Sequence, residues 1–369
     1  VRHTDRHPDG THRSSGGMDP RNRVIALFQS DSTFKAGCLY QISSLFFYSI
    51  QDIGAVFMKK ISLRKLGILS LSLILAGSFP LSCSAADNAA PDNTIVTDEI
   101  TVDIPDISRD YTLLFLADMH IVCQDDHISE DKKEEVSQRF NLFSTPEGDH
   151  SADRWLTLSS TLDSYNADAV LLGGDMVDFA SDSNISCLKE GLDNLSTPFI
   201  YVRADHDYGN WYTGLDSKYI RGLHKTIDDD LQVSVIEFPD FYAMGIDNTT
   251  SQISKKALEK IRKYFSQGKP VILMTHVPIE PQNDDTLSRQ SKEVWQDRAL
   301  IWGQNGGTYY EPNETTSEFL DLVYADDSPV IQVISGHLHF RWDGELTSHS
   351  REYVVGAAYE NNICLIHVQ

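Results

Sequence analysis

Five short polar clusters in this chain carry the residue types that chemistry needs. They are Asp118-Met119-His120, Gly174-Asp175-Met176-Val177-Asp178, Asp205-His206-Asp207, Thr275-His276 and Gly336-His337-Leu338-His339. Carboxylates and imidazoles supply oxygen and nitrogen ligands to metal ions, and imidazole exchanges its proton near neutral pH. Such groups resist burial unless they are paired or bound to metal, so several gathered in one place are hard to explain as packing. One or two divalent cations would satisfy them together.

The elements that must position these residues are also legible. Each cluster follows an apolar, strand-like run: YTLLFLA, AVLLGG, PFIYVRA, PVILMT and SPVIQVIS. In an open α/β sheet, ligands bind in the crevice beyond the carboxyl ends of the strands. Segments 128–143 and 151–165 have helical spacing, with Ser129 and Ser151 as N-caps. Segment 251–267 reads as the clearest amphipathic helix, stopped by Gly268-Lys269-Pro270. LQVSVIEF and DFYAMGID read as a hairpin around Pro239-Asp240 that extends one sheet, while REYVVGAAY and NICLIHV read as strands closing the second. The stretch between His276 and Gly336 reads as a long irregular insertion. Its Trp295, Trp302, Tyr309 and Tyr310 make it a candidate wall on the substrate side, because loops on rigid scaffolds carry function. Packing of a satellite core is an equal reading of the same aromatics. Tyr208, Trp211 and Tyr212 would form the opposite wall.

The order D-x-H, G-D-x-x-D, x-x-H-D, a lone His after a strand, then G-H-x-H resembles the calcineurin-like metallophosphoesterase superfamily, over roughly residues 98–369. The resemblance implies an α/β (α+β) fold: a two-layer β-sandwich flanked by helices, with a dimetal site at the strand ends. It implies hydrolysis of phosphate mono- or diesters by attack of a metal-bridging hydroxide. Carried onto the matching positions, it puts Asp118, His120 and His339 on one metal, Asp175 between both, and Asp205, His276 and His337 on the second. Mn, Fe or Zn would suit such mixed ligands. His206 would protonate or stabilise the leaving alkoxide, and Asp207 would orient its imidazole. The third cluster departs from the family pattern, reading Ala204-Asp205-His206-Asp207 where Gly-Asn-His-Asp or Gly-Asn-His-Glu is usual. Asp205 replaces a neutral amide by a charged ligand of the same reach. Ala204 replaces a glycine, a residue that often serves close approach or positive φ.

The remaining polar residues have blander readings. Asp178 would brace the loop after its strand, Arg203 would be ion-paired rather than bound to substrate, and Cys123 would be a small core residue. His127, His150, His224, His349 and His367 match no motif and read as surface or packing residues. Two rival functions share the motifs: a phosphodiesterase acting on nucleotides or phospholipid headgroups, and a non-catalytic metal- or ligand-binding surface protein.

Composition bounds the partners and the compartment. The chain has 369 residues with 31 Lys+Arg against 54 Asp+Glu, a formal net charge of −23. Such a surface repels nucleic-acid backbones, which bind by charge neutralisation, so no nucleic acid polymer is expected as partner. Small anionic phosphate esters remain acceptable, because metal ions dominate their local field. Residues 1–57 show no sustained pattern and read as a mis-extended start or disordered leader. Residues 58–86 read as an export signal, with basic MKKISLRK, apolar LGILSLSLILAGSFPL and a small-residue site at Ser84-Ala85-Ala86. The apolar run is about 16 residues, short of the roughly 20 that span a bilayer. Cys83 just beyond it opens a lipoprotein reading, and with it membrane attachment through the N-terminal segment, although Pro80 stands where such signals place Leu. Residues 87–97 read as a flexible linker ahead of a single domain, 98–369. The expectation is an exported protein, secreted or held in the cell envelope. Beyond the signal only Cys123, Cys187 and Cys364 remain; they make no disulfide framework, and one bridge stays open.

Overall fold

The computed structural model describes residues 95–125, 128–144, 148–228, 230–248, 252–303 and 308–369. The expected leader, signal and most of the linker lie outside the described residues, as does His127.

Two sheets carry the architecture. In the first, β2 (Tyr111–Leu116), β3 (Ala169–Leu172) and β4 (Phe199–Tyr201) run parallel, with β13 (Asn362–Val368) antiparallel to β2 and β1 (Val96–Val102) at the edge. In the second, β7 (Val271–Thr275) lies between β6 (Tyr242–Ile246) and β10 (Val330–Ser335), parallel to both. The outer strands of that sheet are β5 (Val233–Glu237) on one side and β12 (Arg351–Val354) with β11 (Trp342–Glu345) on the other. A separate two-stranded sheet pairs β8 (Ala299–Trp302) with β9 (Thr308–Tyr310).

Alternation of side chains decides how the layers stack. Leu113, Phe115, Leu171, Ile272, Met274 and Ile334 pack together, so the inner faces of the two sheets share one core. The residues between them face outward into helices. Leu114, Leu116 and Val170 meet Trp155 and Leu158 of α2 (Ser151–Leu162) and Leu188 of α3 (Asp182–Asp193). Leu273 and Val333 meet Ile261 of α6 (Lys255–Phe265) and Phe319 of α8 (Glu314–Tyr324). Burial on both faces is why these strands read as near-continuous apolar runs, and each such side chain contributes about 1.5–3 kcal/mol. The fold is therefore the expected two-layer sandwich flanked by helices. Shorter helices are α1 (Lys133–Leu142), α4 (Asp205–Tyr208), α5 (Ser217–His224) and α7 (Thr286–Val294).

Several local expectations need correction. NICLIHV does not close the second sheet; β13 inserts between β1 and β2 of the first, where Ile363 and Ile366 reach the cores on its two faces. Val96 and Thr97, expected at the end of a flexible tether, are already in β1, paired with Asn362 and Ile363. The insertion after His276 holds α7, β8, β9 and α8, so much of it is regular. Ser151 is not an N-cap: His150 precedes the helix, and the Ser151 hydroxyl is engaged elsewhere. Ser129 makes no side-chain cap bond either. The amphipathic helix expected from 251 begins at Lys255, capped by Ser254, whose hydroxyl accepts from the Ala257 N–H. Among the described residues no helix is long and apolar enough to cross a membrane.

Candidate metal centre and catalytic cleft

The strands that precede the five clusters are mutually parallel within each sheet, so their carboxyl ends open on one edge. The loops leaving them remain tied together. Asp118 N–H donates to the Gly174 carbonyl, His120 N–H to the Asp175 carbonyl, and Gly336 N–H to the His276 carbonyl. Of the residues expected on metal, Asp118, His120, Asp175, His337 and His339 all have left-handed backbones, with φ between 46° and 71°. A non-glycine residue there costs on the order of 1–3 kcal/mol, and five together on one rim mark a site held for its geometry. Gly336 serves the same end, because a Cβ there would lie 2.4 Å from Asp118 Oδ2.

Three overlapping groups bring ligand atoms together: Asp118, His120 and His339; His120, Asp175 and His206; Asp175, His276 and His337. Within them Asp118 Oδ1 stands 3.3 Å from His339 Nε2, and Asp175 Oδ2 stands 3.1 Å from His276 Nε2. Two pairs of imidazole nitrogens face each other at 3.2 Å, His120 Nε2 with His339 Nε2 and His337 Nδ1 with His276 Nε2. A lone pair cannot face a lone pair at that distance, so each pair needs a proton or a cation between its members. Asp118 Oδ1 is buried without a hydrogen-bond donor. The donor set therefore fits divalent cations.

The far side of two of these rings is fixed by a hydrogen bond, which selects the nitrogen offered inward. His276 Nδ1 donates to the Gly173 carbonyl at 2.9 Å, and His120 Nδ1 donates to Asp178 Oδ1 at 3.1 Å. His120 also stacks face to face on Phe143, ring centres 4.5 Å apart. Ser151 Oγ donates to the His120 carbonyl and accepts from the Val122 N–H, clamping the loop to α2.

The charges follow from burial set against neighbouring carboxylates. Burial pushes His120 down to about 4 and His337, with His276 beside it, down to about 3. For His206 and His276 burial acts the same way, but Asp175 in both cases, joined by Asp178 and Asp118 respectively, holds them up at about 10. The buried carboxylates thus call for positive charge at these positions, which divalent cations would supply.

Two expected roles change. Asp207 does not orient His206. Its buried carboxylate accepts from the backbone N–H groups of Asp175, Val177 and Ala204 and from the Tyr201 hydroxyl, knitting two loops together. The carboxylate that faces the histidines is Asp178. It takes His120 Nδ1, lies 3.2 Å from His206 Nδ1, and is held by Arg139 through Nε at 2.8 Å and through Nη2. His206 Nδ1 also donates to the Asp178 carbonyl at 2.8 Å. Asp178 was visible as the second Asp of G-D-x-x-D; Arg139 and Phe143 had no signal. Asp205 belongs to none of the three groups and is exposed, although burial of its carboxyl and the nearby Asp175 raise its pKa. Ala204 has φ −128°, a conformation that needs no glycine.

The aromatic walls sort themselves by burial. Trp302 is fully buried against Phe319 and belongs to the core. Trp295 lies edge-on to His339 at 5.8 Å, and the Tyr310 hydroxyl is 3.3 Å from His337 Nε2. Trp211, about half exposed, stands edge-on to His206 at 5.1 Å, while Tyr208 and Tyr212 turn to His224 and Phe179. Tyr309 is exposed. Arg203 is buried on backbone carbonyls and beside Asp228, away from any ligand role. His150, His224, His349 and His367 contact Ser144, the Asp207 carbonyl, Thr347 and Glu99 respectively, as packing or surface residues.

A model of the calcineurin-like phosphoesterase family matches residues 111–341. No curated protein matches the sequence. Among solved structures, a dimetal phosphatase from Danio rerio is similar at 13% identity, over 68% of this chain and 88% of that one, with a TM-score of 0.42. A protein from Thermus thermophilus gives 12% identity over 68% and 91%, TM-score 0.38. A purple acid phosphatase from yellow lupin seeds gives 12% over 69% and 45%, TM-score 0.40.

Proposed function

The chain belongs to the calcineurin-like phosphoesterase family, a family of phosphoester hydrolases, and from that premise we propose that it is an exported enzyme cleaving small phosphate esters with two divalent cations. The observation that carries the reading is the convergence of Asp118, His120, Asp175, His276, His337 and His339 from both sheets into overlapping groups. Two cations there, of Mn, Fe or Zn, would supply positive charge to the phosphoryl oxygens and lower the pKa of a water.

The chain's own groups supply the rest. Asp175, shared by two of the groups, sits between the two halves of the donor set. His206, anchored through Nδ1 to the Asp178 carbonyl and beside the Asp178 carboxylate, is placed to give a proton to the leaving oxygen. Asp178 fixes the rings of His120 and His206, and Arg139 keeps Asp178 ionised. Trp211 next to His206 would meet the leaving group, and Trp295 with Tyr310 would close the opposite side. Export is proposed on the residue pattern of 58–86 alone.

The test is hydrolysis of p-nitrophenyl phosphate and bis-p-nitrophenyl phosphate by the full chain with Mn²⁺, between about pH 5 and 9. Metal-dependent release from either ester is expected. Failure on both, with metal bound, would favour a binding protein.

A further inference from the structure

Cys123 and Cys187 are far apart in sequence but meet at one corner of the fold. Cys123 follows the His120 loop, and its N–H donates to Asn184 Oδ1 at 2.7 Å. Asn184 and Cys187 lie three residues apart on α3, hence on one face of that helix. Cys187 Sγ lies 4.0 Å from the Ala152 carbonyl in the first turn of α2, next to the Ser151 that clamps the His120 loop. Both thiols are only partly buried, and both pack on the same core under α2 and α3. Cys364, by contrast, is fully buried between the sheets.

We propose that Cys123 and Cys187 form a disulfide under oxidising conditions, a covalent strap from the segment leaving His120 to α3. Such a bridge needs Cα atoms about 4.4–6.8 Å apart and an S–S bond of about 2.05 Å. Thiol–disulfide exchange supplies the chemistry, with a small-molecule disulfide such as oxidised glutathione as oxidant. Cys187, whose pKa is lowered beside Cys123, attacks first as thiolate. Its sulfur bonds to one glutathione sulfur, the S–S bond breaks, and one glutathione thiolate leaves. Cys123 then gives up its proton and attacks Cys187 Sγ, expelling the second glutathione. Two protein thiols are oxidised and one glutathione disulfide is reduced to two thiols.

The experiment is a non-reducing tryptic map of the full chain before and after oxidised glutathione, with dithiothreitol reversal. The expected result is one linked pair of peptides, residues 110–132 and 155–189, which carry Cys123 and Cys187. The pair should be absent from Cys123→Ser and Cys187→Ser, and Cys123→Ser should keep glutathione on Cys187. A loop of this length should raise the melting midpoint of the oxidised wild type by on the order of 5–10 °C, and leave the double serine variant unmoved. Glutathione adducts without the linked pair, or links of either residue to Cys38, Cys83 or Cys364, would overturn the proposal. The wild-type map decides even where a serine variant fails to fold.

Discussion

Asp178→Asn isolates the group that orients the candidate catalytic histidines. The Asp178 carboxylate is fully buried. Burial alone would raise its pKa, but Arg139, His120 and His206 hold it well below the usual range, so it is ionised. Asparagine keeps the shape and one acceptor, yet it turns an N–H₂ toward a donor and removes the charge facing Arg139. Breaking a buried charged pair typically costs 3–5 kcal/mol. Arg139 is partly solvated, which places the expected loss nearer 3 kcal/mol in urea unfolding. The His120 ring also loses the partner that fixes its tautomer, and such losses weaken metal binding by about 10–100-fold. Chelator competition with Mn²⁺ or Zn²⁺ measures this. Asp207→Asn is the control: it weakens the loop tie but leaves both rings anchored to Asp178, so affinity should fall less. Metal affinity unchanged in Asp178→Asn but lost in Asp207→Asn would refute the assignment and restore Asp207 as the orienting residue.

Three further outcomes are expected. His206→Ala should keep bound metal and slow turnover by about 10²–10⁴, with a smaller loss for nitrophenyl than for alkyl esters; an equal loss for both would exclude a proton-donor role. Asp205→Asn should keep metal content and raise monoester over diester kcat/KM by about threefold or more, because one negative charge near a dianion is gone; an unchanged ratio would place Asp205 out of reach of substrate. Glu352 is fully buried, and burial lifts its carboxyl to about 8. Its folded pKa lies above the unfolded value, so its cost is absent below about pH 4.5 and grows by about 1.4 kcal/mol per pH unit until about pH 8. Glu352→Gln should therefore gain stability relative to wild type between about pH 5 and 8 in urea titrations; parallel pH curves for the two proteins would contradict this.

The site was legible in the sequence because each ligand-type residue directly follows an apolar strand, and parallel strands bring their carboxyl ends to one edge. Local order implied that the five clusters converge, and the family resemblance assigned Asp118, His120, Asp175, Asp205, His276, His337 and His339 as ligands; all of these but Asp205 fall into the grouped donor set. What it missed depends on partners far along the chain. Whether Asp207 or Asp178 faces His206 is decided by how the short α4 turn aims the carboxylate at backbone N–H groups of the Asp175 loop. The place of β13 depends on pairing with β2, about 250 residues earlier, and no periodicity within NICLIHV distinguishes one sheet from the other. Trp302 and Trp295 look alike in sequence; only the packing of α8 against β8 sends the first to the core.

The central claim is that the strand-end histidines and aspartates hold divalent cations for phosphoester hydrolysis, with Asp175 shared between the two halves. Metal content per chain, measured by elemental analysis beside turnover in wild type and Asp175→Asn, tests it most directly. The account predicts two equivalents in the wild type, fewer than two in the variant, and hydrolysis abolished while the fold persists by circular dichroism. Full metal content with near wild-type turnover in Asp175→Asn would contradict it.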